Sequence, residues 1–276
     1  MTIRLSLRLL HYTTLLVAVV IILIPFYWLV LTSLRPESLM FQIPASFAFR
    51  DLTIKNYVSA LNNSNVVAWL GNSLLLSFVI DLIVITIAGL AGYGFARFPF
   101  KGSRMLLLGI LGSQMFPGIL LAIPVFQIAG WLGLLDSYTA LVLVTVSLQL
   151  PVGIWLFRSF FLSIPRELDE AALVDGCTPV SAFLRIIFPL TAPGIAAVGL
   201  FSFVGSWNEY LLPLIILTTP EKWTYPLGLA SFVGYYGTDY GGILASSVLA
   251  TLPMVVAYLV FQRRLVAGLT AGSVKG

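Results

Sequence analysis

Long apolar stretches separated by short polar ones set the pattern of the chain. Tyr12 to Leu34 runs without a single charge, beyond the about twenty apolar residues that an α-helix needs to cross a bilayer. Comparable stretches follow at about 66–95, 105–130, 139–157, 190–217 and 241–261. A chain inside hydrocarbon must satisfy its backbone hydrogen bonds within itself, so each stretch is predicted to be a transmembrane helix. Prolines fall inside several of them: Pro25, Pro117, Pro124, Pro151, Pro193 and Pro213. Each removes a backbone donor; Pro25 predicts a kink, and Pro117 and Pro124 predict an interruption. Residues 35–65 mix Arg35, Glu37, Arg50, Asp51 and Lys55 with Pro36, Pro44 and the cluster Asn62-Asn63-Ser64-Asn65, and read as a loop. Asp136-Ser137-Tyr138 reads as a turn, and Thr218 to Tyr240 as a second polar segment, with Trp223, Tyr235 and Tyr236 as an aromatic rim at the membrane interface. The expected fold is one all-α integral membrane domain over residues 1–276, with six transmembrane helices.

Residues 163–189 break this pattern. Arg166, Glu167, Asp169, Glu170, Asp175 and Arg185 crowd into a short stretch between two apolar ones, which makes it a structured aqueous loop. The spacing predicts two short helices with a bend. Pro165 fits a first helical turn, and Glu167, Asp169 and Glu170 complement the dipole of the first helix. Leu168, Ala171 and Ala172 recur at spacings of three and four and form a small apolar stripe. Gly176 supplies a left-handed stop. Thr178 and Pro179 restart a helix as N-cap and first residue, and Pro189 is expected to close it. A short helix with a small-residue face and a charged rim suits a groove on another protein. On these features alone it equally suits a connector lying on the membrane surface.

Composition agrees with a membrane protein: 59% of residues are hydrophobic and 9% charged, against about a quarter charged in soluble domains. The alternating strands of an outer-membrane barrel are missing. Basic residues sort by side. With six spans and both termini cytoplasmic, Arg4, Arg8, Arg97, Lys101, Arg104, Arg158, Arg166, Arg185, Arg263, Arg264 and Lys275 lie inside, while Arg35, Arg50, Lys55 and Lys222 lie outside. That bias follows the positive-inside rule and puts the 163–189 loop in the cytoplasm. The first span is expected to be uncleaved, since its apolar run is too long for a signal peptide and lacks a small-residue exit. The net charge of +4 is thereby a matter of topology and implies no nucleic-acid partner.

The chemistry-bearing residues exclude most enzyme classes. The single cysteine, Cys177, allows no internal disulfide, and the single histidine, His11, no histidine metal cluster. No zinc-protease, nucleophile-elbow or nucleotide-binding motif occurs, so any ATP and its magnesium must be bound by another chain. The run Ala88 to Ala96 holds Gly89, Gly92 and Gly94 but follows no strand, and reads as a close helix-packing surface. Polar groups inside spans mark pathways or buried contacts. Trp207, Asn208 and Glu209 combine a ring, an amide and a carboxylate, as a carbohydrate requires; a hydrated Glu209 or a contact with another subunit is the other reading. Asp81 meets either a transported solute or a buried interhelical partner, and Gln114 and Asn72 are weaker candidates of the same kind.

Glu170-Ala171-Ala172, three residues, Gly176, nine residues, Ile186, one residue and Phe188-Pro189 resemble the EAA loop of permease subunits in binding-protein-dependent ABC importers. The family usually has Leu where this chain has Phe188. Ser206-Trp207-Asn208-Glu209-Tyr210 resembles the fifth-span signature of the maltose-type carbohydrate branch, and the ending Phe261 to Gly276 resembles the tail of that branch. The resemblance implies a type I ABC importer permease fold and a cytoplasmic coupling helix, with Glu167, Leu168, Glu170, Ala171, Ala172, Asp175 and Gly176 engaging an ATPase. It further implies a second permease, two ATPase subunits holding ATP and magnesium, an extracytoplasmic solute-binding protein, and a tail that reaches towards the ATPases. An importer of another solute, such as glycerol phosphate, and an ion-coupled transporter using Asp81 and Glu209 are the alternatives.

Overall fold

The computed structural model describes residues 2–62, 65–98, 100–234 and 237–273, with side chains described for 10–62, 65–98, 100–234 and 238–262. The chain passes through α1 (Thr2–Ser33), α2 (Glu37–Met40), α3 (Lys55–Asn62), α4 (Val66–Arg97), α5 (Ser103–Gly112), α6 (Ala122–Trp131), α7 (Tyr138–Ser163), α8 (Glu167–Val174), α9 (Pro179–Ala182), α10 (Phe188–Leu190), α11 (Ala192–Trp207), α12 (Leu211–Ile216), α13 (Tyr225–Ala230) and α14 (Tyr240–Ser273). Between α13 and α14, β1 (Val233–Gly234) pairs antiparallel with β2 (Gly237–Thr238). Four stretches are long and apolar enough to cross a membrane: Leu10–Ser33, Val66–Arg97, Tyr138–Ser163 and Tyr240–Gln262. The number rises to six if each of two bent pairs counts as one span.

The first bent pair breaks at Pro117, inside the span expected over 105–130, and the second reaches back from the span expected over 190–217 into the polar loop. Ser103–Met115 and Gly118–Trp131 meet at 92°. Pro117 is the cause: a proline excludes the helical conformation from the residue before it, and Phe116 is extended, at φ −77° and ψ 124°. Pro124 does no such damage, because it lies in the first turn of α6, where no donor is lost. The second pair, Pro179–Leu190 and Ala192–Trp207, meets at 78°. Here Pro189 does not close the loop helix as expected. It sits at the start of α10, preceded by a π-helical turn over Phe183–Ile187. A proline cannot donate to the carbonyl four residues back, and a wider turn accommodates that gap. The break falls instead at Thr191. A further break at 208–210 separates α11 from α12.

One further segment gains structure. The Thr218–Tyr240 segment is not all loop: it carries α13, in which Tyr225 and Leu227 are buried. The sixth stretch, expected over 241–261, is matched by Tyr240–Gln262, and its helix runs on to Ser273, because Leu265, Ala267, Leu269 and Ala271 favour helix and no proline intervenes. Tyr235, Tyr236, Asn63, Ser64 and the side chains of the tail from Arg263 onward lie outside the described residues.

The contacts divide the chain into two units, 1–67 with 229–252, and 68–228 with 253–276. In the first, Arg35 is 5% exposed although charged. Its guanidinium donates to the carbonyls of Ser46 and Ala48 and lies over the Trp28 ring, so the segment after α1 folds back on it. Asn56 of α3 donates to the carbonyls of Ser33 and Arg35 at 2.8 and 2.7 Å and closes the end of α1.

In the second unit α4, α7 and α11 pack around Val84, Ala88, Phe157 and Val198, all fully buried. The glycines of α4 make this possible. A Cβ on Gly92 would stand 2.7 Å from Phe157 Cβ and 3.0 Å from the backbone nitrogen of Arg158, whereas one on Gly94 would meet nothing within 4 Å. At the other end of α7, Asp136 ties two segments together. The backbone N–H groups of Thr218 and Thr219 donate to its Oδ1 at 2.9 and 3.0 Å. The Thr219 hydroxyl and the Lys222 ammonium donate to its Oδ2 at 2.6 and 2.8 Å. Lys222, then Thr219, hold the Asp136 carboxyl well below the usual carboxylate range.

Two outcomes follow. Gly92→Ala should destabilise the protein by about 1–3 kcal/mol through overpacking, while Gly94→Ala should be neutral or mildly stabilising; thermal melts in detergent compare them. Because the folded pKa of Asp136 is depressed, its contribution is complete above the ordinary carboxylate range and is lost as pH falls through the lower folded value. Asp136→Asn should therefore lower the melting midpoint by a constant amount between about pH 5 and 8, and the gap to the parent should narrow only below about pH 4.

Candidate functional site

The 163–189 loop forms a two-faced unit on the end of α4. Glu167, Asp169 and Glu170 occupy the first turn of α8, next to its exposed N–H groups; Pro165 lies just ahead of the N-cap residue, Arg166, rather than in that turn. The helix ends in a paired closure: the N–H of Gly176 donates to Leu173 O at 3.1 Å and that of Cys177 to Ala172 O at 2.9 Å. This geometry needs a left-handed residue after the cap, and Gly176 supplies it at φ +84°. Thr178 then caps α9, accepting from the N–H of Ser181 at 3.2 Å, with Pro179 behind it. Cys177 is half-buried at this bend.

One face of α8 is fastened inward. Asp169 Oδ2 pairs with Arg97 Nε at 2.9 Å, with side chains only 16% and 6% exposed, and the Tyr93 hydroxyl donates to Asp169 Oδ1 at 2.7 Å. Arg97 also donates to Ile164 O at 3.0 Å, and Arg166 to Ala96 O at 3.4 Å. Ala172, Ala182 and Phe183 are buried on the same side, and the Phe183 ring lies 4.8 Å from that of Tyr93. A cavity of about 190 Å³ lies beneath, lined in part by Tyr93, Arg97, Asp169 and Glu170.

The other face is open. Glu167, Leu168, Glu170, Ala171, Leu173, Val174, Asp175 and Gly176 are exposed, and Val174 is 87% exposed although apolar. The stripe expected from Leu168, Ala171 and Ala172 is thus split: Ala172 packs inward, while Leu168 and Ala171 face outward. Tyr93 and Arg97 were not legible as members of this site. Their only sequence signal is a hydroxyl and a charge at the end of a long apolar run.

Four of the intramembrane candidates, Asn208, Glu209, Gln114 and Asn72, hold a hydrogen bond within the chain. Asp81 of α4 is 9% exposed and lies beside Ser202 of α11; with its amide turned so that the nitrogen faces Ser202, Gln149 of α7 donates to Ser202 Oγ at 2.6 Å. Gln149 and Ser202 join Asp81 in a polar contact that sequence reasoning did not find. Trp207, Asn208 and Glu209 come together at the break after α11. Trp207 is 3% exposed and stacks between Phe203 and Tyr225, at 5.8 and 6.5 Å. Asn208 donates to Val204 O at 2.9 Å, and Glu209 accepts from the N–H of Leu212 at 3.1 Å, capping α12. Gln114 and Asn72 are bonded elsewhere. Gln114 donates to Leu148 O at 2.7 Å, and Asn72 to the carbonyls of Glu221 and Trp223 at 2.9 Å each. Trp223 itself packs on Trp69 at 6.0 Å.

Removing one partner of a buried ion pair strands the other charge, at a cost of about 3 kcal/mol or more. Asp169→Ala should therefore loosen the loop, and hydrogen–deuterium exchange across 163–189 should quicken, with α1 unchanged. Parent-like exchange would show that the Arg97 contact does not hold the loop.

Residues 84–270 match the family described as binding-protein-dependent transport system inner membrane component. The arabinooligosaccharides transport system permease protein AraQ of Halalkalibacterium halodurans is 35% identical over 255 residues, 91% of either chain. The trehalose/maltose transport system permease protein MalG of Thermococcus litoralis is 34% identical over 260 residues, 93% of either chain. The trehalose transport system permease protein SugB of Mycobacterium tuberculosis is 36% identical over 259 residues, 92% of this chain and 93% of that one. In fold, the chain is similar to one in the crystal structure of a bacterial ABC transporter involved in the import of the acidic polysaccharide alginate, with a TM-score of 0.77 at 20% identity, covering 92% of this chain and 95% of that one. With the match running from the middle of α4 through the two-faced loop and far into α14, the chain belongs to the family of inner membrane components of binding-protein-dependent transport systems.

Proposed function

We propose that this chain is the permease subunit of an ATP-driven importer that carries a carbohydrate, and that α8 is its coupling helix. The observation that carries this reading is the two-faced loop. Asp169 fastens α8 to the end of α4, while Leu168, Glu170, Ala171 and Val174 stand out with nothing over them. A helix held rigidly on one side and bare on the other transmits force from whatever docks on it. The partner on that face is an ATPase subunit, two of which bind ATP and magnesium. A second related permease and an extracytoplasmic solute-binding protein complete the importer. Both termini and the loop are cytoplasmic, as the arginine and lysine distribution supports. The membrane domain has six spans, two of them the bent pairs.

The carbohydrate assignment is supported by the relatives named above, whose names refer to arabinooligosaccharides, trehalose and maltose. Trp207, Asn208, Glu209, Asp81, Gln114 and Asn72 are proposed to line the route. In this conformation the polar groups of Asn208, Glu209, Gln114 and Asn72 serve helix ends and neighbouring carbonyls, and a solute would have to exchange those bonds. A switch between inward- and outward-facing arrangements provides the occasion.

The test is uptake of labelled sugar and ATP turnover in vesicles carrying the whole importer. Glu170→Ala should reduce both by about tenfold, the equivalent of one charge-assisted contact, and should weaken recovery of the ATPase with the tagged permease. Gly176→Val should do the same through the bend, since a left-handed β-branched residue costs about 1–2 kcal/mol. Parent levels of uptake and turnover in both variants would overturn the assignment of α8.

A further inference from the structure

A second cavity, of about 280 Å³, opens where the start of α5 meets α7 beside the end of α4. Leu107, Leu111 and Trp155 contribute its apolar wall, and Ser103, Arg104 and Arg158 its polar rim. Neither arginine has a part in the coupling loop. The ion pairs among the described residues are Arg97–Asp169 and Lys222–Asp136, so Arg104 and Arg158 meet no carboxylate there. Arg158 is half-buried, and a guanidinium beside an apolar wall is poorly solvated unless an anion meets it. Two guanidiniums and a hydroxyl on one rim offer a fan of donors that matches phosphate oxygens.

The surroundings decide what carries the phosphate. Met105 is 81%, Leu106 51% and Leu108 60% exposed, so the outer side of α5 belongs in hydrocarbon. Trp155 is itself 45% exposed, in the manner of tryptophans at the boundary between lipid and water. A free phosphate would satisfy the rim and leave the wall wet. An anionic head on an apolar body satisfies both.

We propose that this cavity is a binding site for an anionic glycerophospholipid, with Arg104 and Arg158 holding the phosphate and Leu107, Leu111 and Trp155 covering the first part of an acyl chain. Under the proposed topology the lipid belongs to the cytoplasmic leaflet, where basic pockets between spans take up anionic heads. It would brace the junction of α4, α5 and α7, because Arg158 directly follows Phe157, which α4 packs against at Gly92. Lipid retention is independent of ATPase docking, so failure of this site and failure of the coupling reading are separable.

The test uses the whole complex purified in mild detergent, titrated with phosphatidylglycerol or phosphatidylcholine and read by native mass spectrometry. The parent should prefer phosphatidylglycerol. Arg104→Gln/Arg158→Gln should lose about 30-fold in phosphatidylglycerol affinity, from about fivefold per arginine, with phosphatidylcholine unchanged. Arg104→Lys/Arg158→Lys should keep the preference, and Arg50→Gln, outside the cavity, should match the parent. Millimolar inorganic phosphate should not displace the lipid. The proposal falls if the parent shows no preference, as it would were an acidic group of another subunit to fill the rim. It falls equally if the double glutamine variant retains phosphatidylglycerol like the parent, or if inorganic phosphate alone displaces it.

Discussion

Hydrocarbon offers no partner to a backbone N–H or C=O, and the rest of this structure is arranged around that shortage. Unbroken helix meets the demand over most of the apolar length. Where a helix breaks, polar side chains close the gap. At the break before Pro117, Gln114 reaches the carbonyl of Leu148. At Thr191 the hydroxyl donates to Phe188 O at 2.6 Å while its N–H is shared between Ile187 and Phe188. At 208–210 the Asn208 amide takes up Val204 O, and the Glu209 carboxylate caps α12. The residues that stand out in the sequence as candidate chemistry therefore have a first duty in holding broken helices together. Any role in a solute route is built on that duty, since breaks are where irregular backbone can line a cavity.

The loop at 163–189 follows the opposite rule. It is aqueous, charged and locally capped, and a largely buried ion pair is one of the contacts that fasten it to α4. Arg97 ends α4, and Asp169 lies in the first turn of α8. Through that contact, and through Tyr93 and the buried Phe183, movement of α8 reaches α4, which runs on for 32 residues. The closure at Gly176 and the cap at Thr178 set the angle to α9. The π turn and the bend at Thr191 then pass the chain to α11. Under the proposed function, force enters on the exposed side of α8 and leaves by two routes, α4 and α11, which both pack on α7.

The sites lie at opposite extremes of legibility. Gly176, Thr178 and Pro179 act through their own backbone neighbours, so their roles could be read without a structure. The six apolar stretches were legible for a similar reason, because the solvent they occupy selects length and composition directly. Asp169 was legible as a charge at a helix start, and its partner was not, because Arg97 is distant in sequence and a carboxylate carries no mark of which cation it will meet. The same holds for Asp136, which reads as part of a turn and proves to hold Thr218, Thr219 and Lys222.

What the amino-acid order determined alone is a helical membrane protein with one structured polar loop, a fixed bend within that loop, and a helix interruption at Pro117. Local sterics, capping and transfer into lipid are short-range, and each leaves its signature in a few consecutive residues. Tertiary structure decided the 92° and 78° bends, the choice of Thr191 over Pro189 as a breakpoint, and the inward turn of Ala172 away from Leu168 and Ala171. It also brought Arg104 and Arg158 to one cavity. Those outcomes depend on the volumes and charges of residues far apart in the chain, which compete for the same space only once the helices have packed.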